Sequence, residues 1–320
     1  MQKLLNQIEG LKVMVVGDMM LDHYIWGSAY RVSPEAPVPI IHVEQDTYSG
    51  GGAANVAFNI VAMGATCETY GWLGKDSAGR QLGRLLKKQS VAFDKNFFSE
   101  GAPTIQKTRI MVKQQQVGRV DREAAPEAYR LTEPSKMQIL EERAAAADAL
   151  IFSDYGKGVI STELVRRLQA INQKNGGFVA MDPKPLRLLK HQEMDLLTPN
   201  REESLLLAQI TATPQETFPE EAVCKRIWEK YRPRLLVVTL GAEGMLLSQK
   251  GHIIERVPTS AREVFDVSGA GDTVIAALTL GLKAGAVLEE AANLANVAAG
   301  IVVGKLGTAA VSKAEILAYQ

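Results

Sequence analysis

Short, nearly continuous apolar runs alternate along this chain with longer amphipathic stretches. Leu11-Lys-Val-Met-Val-Val-Gly17, Thr66 to Trp72, Ala149-Leu-Ile-Phe-Ser153, Phe178 to Asp182, Asp195 to Thr198 and Arg234-Leu-Leu-Val-Val-Thr239 have the length and composition of buried strands. Phe93 to Phe98 reads as another strand, and the spacing predicts helices over Asp76 to Ser90, Pro134 to Ala147 and Thr162 to Asn175. Such alternation argues for an α/β protein with a mostly parallel central sheet flanked by helices on both faces. Met245 to Val257 reads as a hairpin, and two apolar helices follow, Ala270 to Ala284 and Leu288 to Val303.

Two stretches break this rhythm. Trp26 to Val43 carries Pro34, Pro37 and Pro39, which excludes a helix or a central strand. Val38 to Val43, Thr104 to Val112 and Gln116 to Arg122 alternate as short strands, the last two forming a hairpin. They are expected to build a small β lid over a cleft. No repeat, low-complexity tract or linker is present, so residues 1–320 are expected to form a single α/β domain, interrupted by lid segments near 24–45 and 103–123. Unpaired strand edges invite pairing, which makes the lid the expected surface of a homodimer.

Composition narrows the classes. With 46% hydrophobic residues in 320, a sizeable core is assured, and 36 basic residues cancel 36 acidic ones, so no global field draws the chain to nucleic acid or to an anionic membrane. Met1 to Gly10 is polar and lacks the apolar region of a signal peptide, and no apolar run reaches spanning length; a cytoplasmic protein is expected. Cys67 and Cys224 are far apart with apolar neighbours, as reduced core thiols are. His23, His42, His191 and His252 show no ligand spacing, and a zinc site is not expected.

The chemistry centres on Asp266-Val-Ser-Gly-Ala-Gly-Asp272, set directly before the apolar run Thr273 to Gly281. The amides of Gly269, Ala270 and Gly271 would stand at an exposed helix N-terminus, where anions bind, with Asp272 beside them to accept a proton. That pairing suits phosphoryl transfer to a hydroxyl, although Asp and Gly before a helix also serve as a turn and cap. Asp18 and Asp22 follow the first strand at its carboxyl end, where open parallel sheets gather ligands, so they are candidates for holding a polyol or else form a turn. No G-x-G-x-x-G follows that strand, which disfavours a dinucleotide fold. Ser49-Gly-Gly-Gly-Ala-Ala-Asn55 is a second glycine-rich helix start. There Gly51 and Gly52 would allow close approach of a ligand, and the Asn55 amide can donate to and accept from sugar hydroxyls. Lys157, in Asp154-Tyr-Gly-Lys-Gly158, suits an anion. Arg109, Arg119 and Arg122 lie on the lid, either as a solvated face or within reach of a substrate phosphate. Asn200 and Glu203 have the spacing of a capping box, and Glu203 could equally organise magnesium through water. Asn296 lies on the second of the last two helices, as a helix-face amide or a polar contact to a nucleoside enclosed between the two.

Taken together, Gly50-Gly-Gly-Ala-Ala-Asn55, Asn200-Arg-Glu-Glu203 and Asp266-Val-Ser-Gly-Ala-Gly-Asp272 resemble the motifs of the ribokinase (PfkB-type) carbohydrate kinases, in the same order and over essentially the whole chain. Arg31-Val-Ser-Pro-Glu-Ala-Pro-Val-Pro39, Ser153-Asp-Tyr-Gly-Lys-Gly158, Leu197-Thr-Pro-Asn200 and Val303-Gly-Lys-Leu-Gly-Thr308 resemble, more narrowly, the D-glycero-β-D-manno-heptose 7-phosphate kinases. The resemblance implies a ribokinase-like fold and ATP-dependent phosphorylation of the anomeric hydroxyl of heptose 7-phosphate, on the route to ADP-heptose and the lipopolysaccharide core. It implies Asp272 as base, Gly269 to Gly271 as anion hole, and Asp18, Asp22, Gly51, Gly52 and Asn55 around the sugar. Lys157 and Arg109 are chosen for the 7-phosphate from charge and position. The resemblance further implies Asn200, Glu203, Thr239, Gly241, Gly244 and Asn296 around ATP and Mg2+, and Asp266 with Ser268 as the place for a monovalent cation such as K+. Another PfkB-type sugar kinase, or a catalytically silent sugar-binding protein, are the alternative readings. No H-x-G-H stretch occurs, so adenylylation is not expected of this chain.

Overall fold

A short helix, α1 (Gln2–Ile8), leads into β1 (Lys12–Gly17), whose Val13 to Val16 are buried. The chain then leaves the body as two long strands, β2 (Met19–Val32) and β3 (Pro39–Gly52), and returns in α2 (Ala53–Ala62) and β4 (Thr66–Tyr70). The two-residue strands β5 (Leu73–Gly74), β6 (Ala92–Phe93) and β7 (Phe98–Ser99) surround α3 (Ser77–Lys88). A second excursion is the hairpin of β8 (Ile105–Val112) and β9 (Gln115–Arg122). Helix and strand then alternate through α4 (Pro134–Ala146), β10 (Ala149–Ser153), α5 (Thr162–Lys174), β11 (Phe178–Asp182), β12 (Leu196–Leu197), α6 (Arg201–Ala208), α7 (Glu220–Tyr231) and β13 (Leu235–Thr239). The hairpin β14 (Met245–Gln249) and β15 (His252–Val257) and the helices α8 (Ala270–Lys283), α9 (Leu288–Val302) and α10 (Lys313–Ala318) complete the chain. This computed structural model describes residues 1–113, 115–185, 193–211 and 217–319, so His191 lies outside the described residues.

Among the described residues the main sheet has nine strands in the order β15-β14-β13-β12-β11-β10-β1-β4-β6, parallel except for the β14–β15 edge. Its order reverses at β1, which pairs with β10 on one side and β4 on the other. The crevice at such a reversal, beyond the carboxyl ends of the strands, is where an open α/β sheet binds ligands. One apolar cluster lies beneath α2, α8 and α9, and another lies on the opposite face beneath α4, α5 and α7. Central strands buried on both faces need unbroken apolar runs, and each fully buried Val contributes roughly 1.5–3 kcal/mol.

The lid is a separate sheet of order β3-β2-β8-β9. Here the structure departs from the sequence expectation, because β2 is a 14-residue strand that pairs with both β3 and β8. Its first residues are buried on both faces, and the register shifts at Trp26/Gly27 and Ala29/Arg31, so the alternation that marks a strand is lost. The prolines lie outside β2: Pro34 and Pro37 occupy the connection and Pro39 opens β3, an edge strand. Phe93 to Phe98 is not one strand. Asp94 accepts a hydrogen bond from the Asn96 amide at 2.8 Å and bends the chain into a single turn at Lys95–Phe97.

Candidate active site

Helix α8 is apolar almost all round and buried, so its N-terminus is carried to the crevice by core packing. Its first intrahelical bond runs from Thr273 N to Gly269 O, and the Ala270 amide donates to Val267 O at 3.2 Å. Of the amides expected to receive an anion, Ala270's is therefore engaged in the turn. Among the described residues, no backbone acceptor one turn back takes the Gly271 or Asp272 amide.

Asp272 stands at the third position of α8 and is 1% exposed. Its Oδ2 accepts from Asn55 Nδ2 and its Oδ1 from the Tyr155 hydroxyl, both at 2.8 Å. Burial pushes its carboxyl up from the ordinary 3.8 to about 7, with these two hydrogen bonds pulling the other way. A carboxylate tuned near neutrality can take a proton and give it up again at cellular pH. Asn55 reaches this point because α2 begins directly after β3, and Asn59, one turn on, accepts from Thr273 Oγ1 at 3.2 Å, locking α2 to α8.

The glycines before α2 serve the protein's own groups. A Cβ on Gly51 would lie 2.3 Å from Asp22 Oδ2, and one on Gly52, where φ is +58°, would lie 2.3 Å from Asp18 O. Close approach is required here by the two aspartates. Asp18 is likewise engaged by the protein's own backbone. Its side chain is 0% exposed, and its carboxylate accepts the amides of Tyr155, Lys157 and Val159 at 2.9, 3.0 and 3.1 Å. It shapes the 155–159 loop. Asp22 lies on β2 in the lid, paired with Arg109 Nη1 at 2.5 Å, with Thr308 Oγ1 at 3.4 Å.

Among the described residues, the basic side chains divide between those held by carboxylates and those that are not. Lys157 Nζ is held by Glu123 at 2.7 Å, and Arg109 by Asp22. Arg119 and Arg122 are exposed, Arg119 pairing with Asp121. Lys107 was not singled out, yet it is registered opposite Asp22 across β2 and β8, and its amine lies 5.8 Å from the Tyr155 ring centre. No carboxylate lies within ion-pair distance of it among the described residues, and burial pushes its amine below the ordinary lysine value. The signal was available: Lys107 and Arg109 are two apart on a strand and so share a face.

On the other side of the α8 N-terminus, Asn200 caps α6 by accepting the Glu203 amide at 2.9 Å while Glu203 Oε2 accepts the Asn200 amide at 3.0 Å. Both sequence readings of this pair begin from that box. Glu203 Oε1 takes Lys184 Nζ at 2.8 Å, and Asp182, at the end of β11, is pushed well above the carboxylate range by burial and by the neighbouring Glu203 and Asp272 charges. A cavity of about 210 Å³ is lined by Asp154, Tyr155, Asp182, Lys184, Glu203 and Gly271. It adjoins a larger cleft of about 770 Å³ whose walls include Asn200, Thr239, Gly241, Gly244, Gly271 and Asn296. The Asn296 side chain also ties down the 258–260 loop, accepting from Ser260 N at 3.1 Å and donating to Pro258 O at 2.8 Å. Asp266 joins two loops through the amides of Ser268 and Gly307, at 2.9 and 3.0 Å. Among the described residues no three His, Cys, Asp or Glu side chains are grouped to hold a metal by themselves, and no helix is long and apolar enough to cross a membrane.

Comparison with known proteins bears on this arrangement. The bifunctional protein HldE of Histophilus somni is 40% identical over 313 residues, covering 97% of this chain and 64% of its own length. That of Desulfatibacillum aliphaticivorans is 39% identical over 307 residues, covering 96% and 62%. The chain thus spans less than two thirds of these relatives' length. Among solved structures, phosphofructokinase-2 from Escherichia coli in complex with substrates and products superimposes with a TM-score of 0.75 at 21% identity, covering 97% of this chain and 98% of that one. Arabidopsis thaliana ribokinase complexed with ribose and ATP gives 0.73 at 20%, over the same shares of the two chains. These two share the fold, which is ribokinase-like. The family model described as pfkB family carbohydrate kinase matches residues 11–315, and the chain belongs to that family.

Proposed function

We propose that this chain transfers the γ-phosphoryl group of ATP to the anomeric C1 hydroxyl of D-glycero-β-D-manno-heptose 7-phosphate, giving the 1,7-bisphosphate used for ADP-heptose and the lipopolysaccharide core. The observation that carries the reading is Asp272, a buried carboxylate raised to about 7 in the first turn of α8, directly after Gly271, which lines both cavities. The sugar would lie under the lid between Asp22, Asn55 and Asp272, with its 7-phosphate toward Lys107, Arg109 and Lys157. The nucleotide would occupy the larger cleft along Thr239, Gly241, Gly244 and Asn296. Asp272 takes the hydroxyl proton as the new O–P bond forms, and the amides at the start of α8 hold the charge of the transferred group.

Both Glu203 oxygens are already engaged, by Lys184 and by the Asn200 amide, which fits an ion held through water rather than directly. Magnesium there would neutralise charge on the nucleotide phosphates. A monovalent cation is assigned to Asp266 and the Ser268 backbone, whose loops the Asp266 carboxylate joins. The lid exposes Tyr30, Val32, Val38, Val43, Val117 and Val120, which supports a homodimer formed through it. A cytoplasmic location fits an enzyme that consumes ATP. A panel of sugar phosphates with Mg·ATP, read by ADP release, tests the substrate: heptose 7-phosphate should be turned over best. Robust turnover of fructose phosphates with none of the heptose would overturn the choice.

A further inference from the structure

Tyr155 is left over from the roles above, although it touches the base directly. Its side chain is half-buried, its amide is one of the three held by Asp18, and its hydroxyl donates to Asp272 Oδ1 at 2.8 Å. We propose, resting on the kinase reading just given, that Tyr155 is a positioning residue for the base. Its hydroxyl fixes the Asp272 carboxylate in one orientation together with Asn55 and keeps it ionised in a site where burial alone would neutralise it. The phenol itself never acts as a base, because burial and the neighbouring Asp272 charge push it well above the ordinary tyrosine value. In the transfer step the sugar O–H bond breaks, its proton goes to Asp272 and its electron pair forms the bond to the γ-phosphorus, while the bond from that phosphorus to the β–γ bridging oxygen breaks and ADP leaves with that electron pair. The Tyr155 proton stays on Tyr155.

The placement is built by the chain rather than by chance packing. Asp18, at the end of β1, holds the amides of residues 155, 157 and 159, and so sets the loop that follows β10, the strand beside β1. The same loop leaves the Tyr155 ring under Lys107 from the lid. The charged and titratable groups that act on Asp272 are thus Asp22 on β2 and Lys107 on β8, Tyr155 after β10, and Asp182 at the end of β11. Asp22 disfavours the ionised form and Lys107 favours it, so Tyr155 and Asn55 supply the direct hydrogen bonds.

The sign follows from that geometry. A donor to a carboxylate stabilises the charged form, so its removal raises the pH at which the base ionises. Tyr155→Phe keeps the ring and removes the donor. A charge-assisted hydrogen bond of this kind corresponds to roughly one to two pH units. The acid limb of the kcat/KM profile should therefore move up by that amount, leaving turnover about ten- to a hundredfold down at pH 6 and close to wild type on the alkaline plateau. The carboxyl 13C resonance of Asp272, assigned by its loss in Asp272→Asn, should titrate higher by the same amount in the free protein. An equal loss at every pH with an unmoved carboxyl titration would overturn the proposal. If the wild-type chain phosphorylated no sugar, the kinase reading would fail, while the 13C titration would still decide the role of Tyr155.

Discussion

Replacing Asp272 by Asn should abolish most turnover and at the same time stabilise the protein at alkaline pH. Burial carries this carboxyl from 3.8 to about 7, and at about 1.4 kcal/mol per pH unit the ionised group costs the fold about 4 kcal/mol. The folded state holds the proton more tightly than the unfolded chain, so wild-type stability rises as pH falls from about 7 toward 4. Asparagine carries no such charge. Its amide nitrogen would face Asn55 Nδ2, but Asn55 Oδ1 is buried without a donor among the described residues, so a flip of the Asn55 amide restores the hydrogen bond. Urea unfolding should find Asp272→Asn more stable by up to about 4 kcal/mol at pH 8.5, shrinking to about 1.5 kcal/mol at pH 5. Turnover should fall by about 10²- to 10⁴-fold, as for a lost general base, with nucleotide affinity little changed. A variant no more stable than wild type at pH 8.5, or a gain that does not change with pH, would refute the assignment of Asp272 as a buried base held at a cost to the fold.

Other perturbations separate the parts of the site. Lys107→Met should raise KM for the sugar phosphate by about 10- to 100-fold while leaving KM for ATP near wild type, since one charge-assisted contact is lost; equal KM values for the phosphorylated sugar would remove Lys107 from the site. Glu203→Gln can keep the capping box, so its thermal unfolding should shift little while KM for Mg·ATP rises several-fold, about tenfold by the same bookkeeping. A large loss of stability with unchanged Mg·ATP kinetics would instead make Glu203 a cap alone. Gly52→Ala should cost at least about 2 kcal/mol in urea unfolding, because it forces a left-handed backbone and a contact with Asp18 O.

The sequence was most legible where one local pattern has one structural solution. The unbroken Val13 to Val16 run can only be a central strand, and Asn200 with Glu203 can only close a box once a helix starts between them. Asp272 was legible for the same reason, since three small residues before an apolar helix leave a carboxylate at its first turn. Where tertiary context overrode local pattern, the sequence misled. Strand β2 is hidden by burial on both faces and by its register shifts, and the Phe93 to Phe98 run is bent by the Asp94 side chain. The amides that Asp18 holds are about 140 residues away, which no local pattern announces. Tyr155 lay inside a recognised motif without a role for the same reason, because its partner Asp272 lies 117 residues further on.

The most direct test of the account is phosphorus NMR of a single reaction of the protein with Mg·ATP and D-glycero-β-D-manno-heptose 7-phosphate. The account predicts a second sugar phosphate resonance coupled to the anomeric proton, appearing in step with one ADP per molecule formed. ADP without a new sugar phosphate, or a phosphate on any carbon other than C1, would contradict it.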